Sequence, residues 1–306
     1  LVTATLSPMP RIGNVLTLVG NGADQVCAEA GAAAARLGGT ARCIRQERQL
    51  GTGHALMTAM PHLPGDGSVL VVNGDAPLLT TDVLNRFLDV ALGADVAFLS
   101  LMLDDAASYG RVIREHGAVR AIVVAKDFDP ALCGPLADAH EVNTGIYLFS
   151  LPAVRKLLPR LSCENRSGEY YITDLISLGL ADGMDVRGIR AEGAGCEASA
   201  LLGVNTPAEL AAAEDILARR RAAELLASGV ILHAPQLVRV SPLSTVEGGA
   251  ELSGPCEICG DSVIRSGARI LSHCVIRDAV IDTGVEIREF CHIEKAEVRR
   301  GAIIGP

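Results

Sequence analysis

From Val246 onward an aliphatic residue returns every six positions: Val246, Leu252, Ile258, Ile264, Ile270 and Ile276, then, after a slip of one residue, Ile281, Ile287 and Ile293, with Val298 and Ile304 closing the series. That spacing fits neither a helix nor a plain alternating strand. It is the hexapeptide repetition of a β-helix, in which one aliphatic side chain per face stacks inward. A single coil cannot bury such a rung alone, so stacking of successive coils, joined by association of subunits, is expected to supply the core.

Ahead of the repeat, short apolar runs alternate with amphipathic stretches. Residues 14–20, 69–72, 95–103 and 146–149 read as strands, and residues 23–37, 54–60 and 81–92 as helices. Gly38-Gly39 stops the first helix and Thr80-Thr81-Asp82 begins the third. Residues 111–113 and 120–124 form a hairpin-like pair around Glu115-His116-Gly117-Ala118. Strands alternating with helices predict a mostly parallel sheet with helices on both faces. Thr206 followed by Pro207 and, three residues on, Glu209 is a helix start, so an alanine-rich helix is expected to run to about Ser228 and stop at Gly229. At about 1.5 Å per residue it would span roughly 33 Å, enough to bridge two domains. The expected fold is therefore α/β: a Rossmann-like domain over residues 1–205, a linker helix over 206–229, and a partial β-helix over 230–306.

Composition narrows the partners. The chain has 306 residues, 49% of them hydrophobic, which is ample for two cores. With 27 basic against 36 acidic residues and only four tyrosines and five phenylalanines, it offers neither a phosphate-tracking surface nor a base-stacking platform, and nucleic acid is not an expected partner. No apolar run is long enough to span a membrane, and no signal peptide is legible. Nine scattered cysteines point to free thiols in a reducing cytoplasm. Cys256-Glu257-Ile258-Cys259 is a lone C-x-x-C without a second pair, and the coil period explains it as two outward or corner positions.

Two stretches carry candidate chemistry. Gln46-Glu47-Arg48-Gln49-Leu50-Gly51-Thr52-Gly53-His54 leads from a polar run into a helix, so free backbone N–H groups and a helix N-terminus are expected where glycine permits a ligand to approach closely. Residues 69–72 then end in Asn73-Gly74-Asp75, which places a carboxylate at the carboxyl edge of a strand, where open α/β sheets bind ligands and where an aspartate can hold a metal. Downstream, Asn143-Thr144-Gly145 reads locally as a turn, and Gly168-Glu169-Tyr170-Tyr171-Ile172-Thr173-Asp174 as a helix start with half-buried tyrosines.

The glutamine-rich loop followed by strand-Gly-Asp-x-Pro-Leu resembles the sugar nucleotidyltransferases, and most closely the family of bifunctional N-acetylglucosamine-1-phosphate uridyltransferases and glucosamine-1-phosphate acetyltransferases, over its uridyltransferase half and the start of its repeat domain. The resemblance covers nearly the whole chain from Gly20. It implies a left-handed β-helix, trimers formed through it, and the reaction of UTP with N-acetylglucosamine 1-phosphate to give UDP-N-acetylglucosamine and pyrophosphate, with Mg²⁺. It further implies that Asp75 and Asn205 are the catalytic metal ligands, that Gln46, Gln49, Gly51, Thr52, Asn73 and Gly74 bind the nucleotide, and that Gly110, Asn143, Tyr171 and Thr173 contact the sugar. Such a reaction needs no protein nucleophile, because positioning and charge neutralisation carry most of it.

Two departures bear on this reading. Val124 stands two residues before Lys126, where the family usually carries a glutamate, which opens the choice of acceptor sugar. The family's glycine-rich phosphate loop and its lysine have no counterpart before Lys126, and a break in the chain is expected between Thr3 and Ala4, with the intervening residues left out. Alternatives are a regulatory protein that binds sugar nucleotides without turnover, a nucleotidyltransferase for another sugar phosphate, and a hexapeptide acyltransferase. For the last, His273 and His292 would have to be catalytic, whereas the coil period makes them surface residues.

Overall fold

A computed structural model describes residues 15–20, 22–36, 40–106, 109–128 and 140–306. The chain divides into two units, Leu1–Val204 and Asn205–Pro306. Thr3 and Ala4, between which a break is expected, and Leu37 to Gly39, the expected end of the first helix, lie outside the described residues.

In the first unit β1 (Val15–Val19), α1 (Ala23–Arg36) and β2 (Ala41–Arg45) form a β-α-β turn whose strands pair in parallel. α2 (Thr52–Ala59), β3 (Ser68–Val72), α3 (Thr81–Ala91) and β4 (Val96–Met102) follow, then the hairpin β5 (Arg111–Glu115) and β6 (Ala118–Val123), β7 (Glu141–Ser150), α4 (Leu151–Leu157), α5 (Asp174–Ala181) and β8 (Val186–Arg190). The main sheet runs β6-β5-β7-β4-β8, with β3 also paired to β7.

The mostly parallel sheet is qualified by β7. β3, β4, β5 and β8 run one way, but β7 returns antiparallel to β3, β4 and β5 after the hairpin excursion. Hydrophobic alternation reports which faces are covered, not the direction of each strand, so this reversal has no local signal. β4 shows why the apolar run is unbroken. Ala97, Leu99 and Leu101 pack beneath α3 with Phe87 and Leu84, whereas Val96 and Phe98 face α4 and α5 with Val154, Leu157, Leu175 and Ile176.

Asn143-Thr144-Gly145 is not a turn. It lies inside β7, where the register against β4 shifts between Phe98 and Ser100, Thr144 Oγ1 donates to Leu99 O at 2.8 Å, and Gly145 takes φ 77°. This is a bulge, which bends a strand and re-aims a side chain. One carboxylate ties the sheet together beside it. Glu141, 4% exposed, accepts from Ser100 Oγ of β4 at 2.6 Å, from Arg114 of β5 at 2.7 and 2.8 Å, and from Arg190 of β8 at 2.8 and 2.9 Å.

The second unit opens with α6 (Pro207–Ala227), whose capping box is complete: Thr206 Oγ1 accepts from Glu209 N at 3.2 Å, and Glu209 Oε2 accepts from Thr206 N at 2.9 Å. Gly229 follows it at φ 87°. The rest is a solenoid of parallel strands in three sheets of four, four and five strands. Registered rungs lie eighteen residues apart from Val246 to Ile264 and seventeen apart from Ile264 to Ile281 and from Ile281 to Val298, so the one-residue slip read in the sequence is a shorter coil. Leu252, Ile264, Ile270, Ile276, Ile281 and Ile287 are all 0% exposed. Cys256 departs from the expected outward or corner position: it is buried within a strand and registers on Cys274 of the next coil, while Cys259 is half-buried. His273 and His292 are exposed.

Ile270→Ala should lower stability by about 2–5 kcal/mol, because it empties a fully buried rung. Arg269→Ala, one residue earlier on the exposed face, should cost about 1 kcal/mol or less despite its pairs with Glu251 and Glu286. Urea unfolding followed by circular dichroism checks both, and equal effects would contradict the inward assignment.

Candidate functional site

β2 delivers the glutamine-rich loop. Gln46 N donates to Val19 O at 2.8 Å, which carries the β1–β2 ladder one residue further. The Gln46 side-chain amide donates to Gly51 O at 3.3 Å and lies 2.8 Å from His54 Nδ1, folding the loop back onto α2. Gln49 is exposed, and its amide lies over Gly20, where an added Cβ would meet Nε2 at 2.5 Å.

The glycines of the loop answer to the chain itself. Residues 170–172 run against them: Tyr170 N donates to Leu50 O at 2.8 Å, Gly53 N to Tyr170 O at 2.7 Å, and Ile172 N to Thr52 Oγ1 at 3.1 Å. Gly51 has φ 103°, and a Cβ there would lie 2.6 Å from Tyr170 O. The close approach expected of a ligand is thus made by Tyr170, and the Gly53 N–H, expected to be free, is bonded. The helix also begins at Thr52, two residues earlier than its pattern predicts, with Gly51 as N-cap. Thr52 accepts from Ile172 and keeps its own hydroxyl proton to donate.

Asn73, Gly74 and Asp75 are exposed at the end of β3. The Asn73 amide occupies the space a side chain at Gly145 would fill. Asp75 O accepts from Val204 N at 2.8 Å, a Cβ on Gly203 would sit 3.3 Å from Asp75 Oδ2, and Gly203 N donates to Tyr109 OH at 2.9 Å. Asn205 belongs to the second unit, where its N–H donates to Glu209 Oε2 at 2.6 Å.

Gly110 and Asn143 meet through the backbone, Asn143 N donating to Gly110 O at 2.9 Å. The Asn143 amide donates to Tyr147 OH at 2.5 Å and accepts from Gly145 N at 3.2 Å. Burial pushes the Tyr147 phenol well above its ordinary range, and the Asn143 bond opposes this only in part. Tyr171 and Thr173 are more deeply buried than the half-buried reading anticipates, at 8% and 6% exposure, and among the described residues neither hydroxyl has a partner in hydrogen-bonding geometry. Tyr171 lines a cleft of about 490 Å³ with Val123, Val124, Asp127, Asn165 and Asp174. Burial, and then the charge of Asp127, raise the Asp174 carboxyl above its usual range.

The structure therefore joins two candidate groups. Thr52 is bonded to Ile172, the neighbour of Tyr171, and Tyr171 shares its cleft with Val124, whose backbone adjoins Gly110. Glu141 escaped the sequence reading, because its arginines lie 27 and 49 residues away and only the fold assembles them. Among the described residues no group of three or more His, Cys, Asp or Glu could hold a metal ion, and Cys256, pushed up to about 12 by burial and then by Cys274 and Glu257, has no such set around it. No described helix is long and apolar enough to cross a membrane.

Comparison with known proteins adds a family. Residues 4–108 match the family model described as MobA-like NTP transferase domain. The bifunctional protein GlmU of Nitratidesulfovibrio vulgaris Hildenborough is 49% identical over 294 residues, covering 95% of this chain and 62% of that protein. GlmU of Paracidovorax citrulli AAC00-1 is 35% identical over 331 residues, covering 100% of this chain and 68% of that protein. The chain thus spans about three-fifths of the length of the first of these relatives. Among solved structures, the nucleoside-diphosphate-sugar pyrophosphorylase of Vibrio cholerae RC9 is similar at a TM-score of 0.43 and 20% identity, over 58% of this chain and 72% of that one.

Two outcomes follow from the geometry. Burial alone would raise the Glu141 carboxyl, but bonds from Arg114, Ser100 and Arg190 outweigh it and hold it below the usual glutamate range. A depressed folded pKa contributes stability that is full above the unfolded value of about 4.3 and is lost as pH falls through the folded value. Urea midpoints of the native protein should therefore drop below about pH 4, a loss that Glu141→Gln flattens, and Glu141→Ala should cost about 3–5 kcal/mol by stranding Arg114. Gly51→Ala, strained at its φ and pressed on Tyr170 O, should cost at least about 1–3 kcal/mol, read in the same urea titration; an unchanged midpoint would contradict the clamp.

Proposed function

Because this chain belongs to the family of the bifunctional protein GlmU, we propose that it is a sugar-nucleotide pyrophosphorylase. Its reaction would be uridylyl transfer from UTP to N-acetylglucosamine 1-phosphate. A sugar phosphate oxygen attacks the α-phosphorus of UTP, the new P–O bond forms as the bond to the β-phosphate oxygen breaks, and pyrophosphate leaves with the electron pair. Holding both substrates in line supplies most of the acceleration.

The observation that carries this reading is the bonded run from the Gly51-Thr52 loop through Ile172 to the Tyr171 cleft, since uridylyl transfer requires a nucleotide site and a sugar site held at a fixed separation. Gln46, Gln49, Gly51 and Thr52 would read uracil and ribose, with Asn73 and Gly74 beside them. Gly110, Asn143, Tyr171 and Thr173 would line the sugar, and the buried hydroxyls of Tyr171 and Thr173, without a partner in hydrogen-bonding geometry among the described residues, are the kind of group that a polar substrate satisfies. Val124 gives that cleft an apolar wall, so N-acetylglucosamine 1-phosphate is to be tried beside other sugar 1-phosphates.

The donor set fits magnesium. This ion takes one or two protein oxygens and completes its shell with phosphates and waters, so the exposed Asp75 carboxylate, with no cage of metal-binding side chains among the described residues, suits Mg²⁺ better than a structural metal. When bound, Mg²⁺ neutralises charge on the triphosphate and on the departing pyrophosphate. Asp75, with Asn205 as the second donor that the resemblance implies, would hold it. The coil, with aliphatic rungs repeated along one axis, would be the seat of self-association into trimers, in the reducing cytoplasm that free thiols suit.

Pyrophosphate release from UTP and a panel of sugar 1-phosphates, set beside calorimetry with UDP-N-acetylglucosamine, tests the reading in the full-length protein. Asp75→Ala should lower the Mg²⁺-dependent rate about a hundredfold or more while leaving the fold intact. Binding without turnover would favour the regulatory alternative, and indifference to Asp75→Ala would remove the metal assignment. Light scattering should give a trimer, and a full-length monomer at tens of micromolar would refute it.

A further inference from the structure

Cys27 and Cys43 take no part in the site described above; they lie on α1 and on β2, the strand that leads into its glutamine-rich loop. On α1 the inward stripe is Ala23, Val26, Cys27, Ala30, Ala33 and Ala34, at helical spacing, with Ala23, Ala30, Ala33 and Ala34 buried and Val26 and Cys27 half-buried. On β2 successive side chains alternate, so Cys43 shares a face with Ala41 and Arg45 while Ile44 is buried on the other.

One ion pair shows how these faces meet: Arg45 pairs with Asp24 across 3.7 Å. Asp24 and Cys27 are three residues apart on one helix face, a rise of about 4.5 Å. Arg45 and Cys43 are two apart on one strand face, roughly 6.5 Å. A helix that returns antiparallel over a parallel strand pair runs from Asp24 toward Cys27 as the strand is followed back from Arg45 toward Cys43. That register brings Cys27 over Cys43, and the influence of Cys27 on the Cys43 thiol agrees with it.

We propose that Cys27 and Cys43 are a reversible redox modification site, closing to an intramolecular disulfide in the presence of a small-molecule disulfide such as oxidised glutathione. The Cys43 thiol is pushed up to about 11, first by burial and then by the bond and charge of Cys27, which disfavours Cys43 as the first nucleophile. The Cys27 thiolate attacks one sulfur of the small disulfide, forms a mixed disulfide and expels one small thiolate, which takes up the proton that Cys27 lost. Cys43 then gives up its proton and attacks the Cys27 sulfur; the protein S–S bond forms, and the second small thiolate leaves and takes that proton. Two protein thiols are oxidised and one small disulfide is reduced to two small thiols. The bond would tie α1 to the strand that ends at Gln46, although its formation does not depend on the proposed reaction.

Reduced full-length protein is incubated with oxidised glutathione, quenched by alkylation and mapped by mass spectrometry, with Cys163→Ser as background to remove an exposed thiol. The expected result is a linked Cys27–Cys43 peptide lighter by two hydrogens, loss of both residues from alkylation, and full return of both thiols with dithiothreitol. In Cys27→Ser the linked peptide should vanish and Cys43 should remain an alkylatable thiol. Recovery of both thiols free, glutathione retained on either one, or pairing of either with another cysteine would overturn the proposal.

Discussion

A single buried carboxylate holds the first unit in its arrangement. Glu141 stands where β7 enters the sheet, and its two oxygens receive one hydroxyl and two guanidinium groups from three other strands. A carboxylate withdrawn from water is costly unless its lone pairs are filled, and here they are filled only when β4, β5 and β8 occupy their places around β7. The charge therefore selects one arrangement of the sheet. Arg114 reaches Glu141 with two nitrogens and also donates to Gly188 O at 2.9 Å, so β5 is bound to β8 as well as to β7. Two residues past Glu141, Asn143 inherits that fixed position, which is why its amide can be committed to Tyr147 and Gly145 inside a bulge.

The second constraint is the contact between residues 50–53 and 170–172. Two glycines are required there, because any side chain on Gly51 or Gly53 would strike Tyr170 or Leu161. Three hydrogen bonds join segments separated by more than a hundred residues, so the loop is ordered before any ligand arrives. Preorganisation of this kind lowers the ordering cost of binding, since side chains and loop are already placed. It also changes what the Gly-Thr-Gly motif means: its glycines make room for the polypeptide, and any ligand meets a surface the polypeptide has already shaped.

What could be read from the sequence follows from how far each interaction reaches. The capping box at Thr206, the coil rungs and the apolar β4 were legible because their causes lie within a few residues. Direction and assembly were not. Nothing within β7 announces that it runs antiparallel, nothing near Glu141 names Arg114 or Arg190, and Cys256 looked like a corner residue until the coil's register stacked it on Cys274. The candidate site falls between these cases. Its residues could be named from a resemblance, but the bonded path that joins Thr52 to Tyr171 depends on long-range packing.

The coil shows how far a local rule extends and where it stops. Its inward rungs repeat in the sequence, but a coil also has to turn corners with positive φ, and only one corner is glycine throughout: Gly249, Gly267, Gly284 and Gly301. At a second corner Gly260 is followed one coil later by Asp278 and then by Lys295, and a third carries His273 and Phe290, all in the same backbone region. A side chain in that region costs about 1–2 kcal/mol relative to glycine. His273 and Phe290 stack at 4.7 Å and 21°, a contact of about 0.5–1.5 kcal/mol, which offsets much of that cost only because the coil places one directly over the other. The strain at these corners is tolerable as a column and not as a single turn. A period search finds the rungs, whereas the corners are written in residues whose fitness depends on the coil above and the coil below.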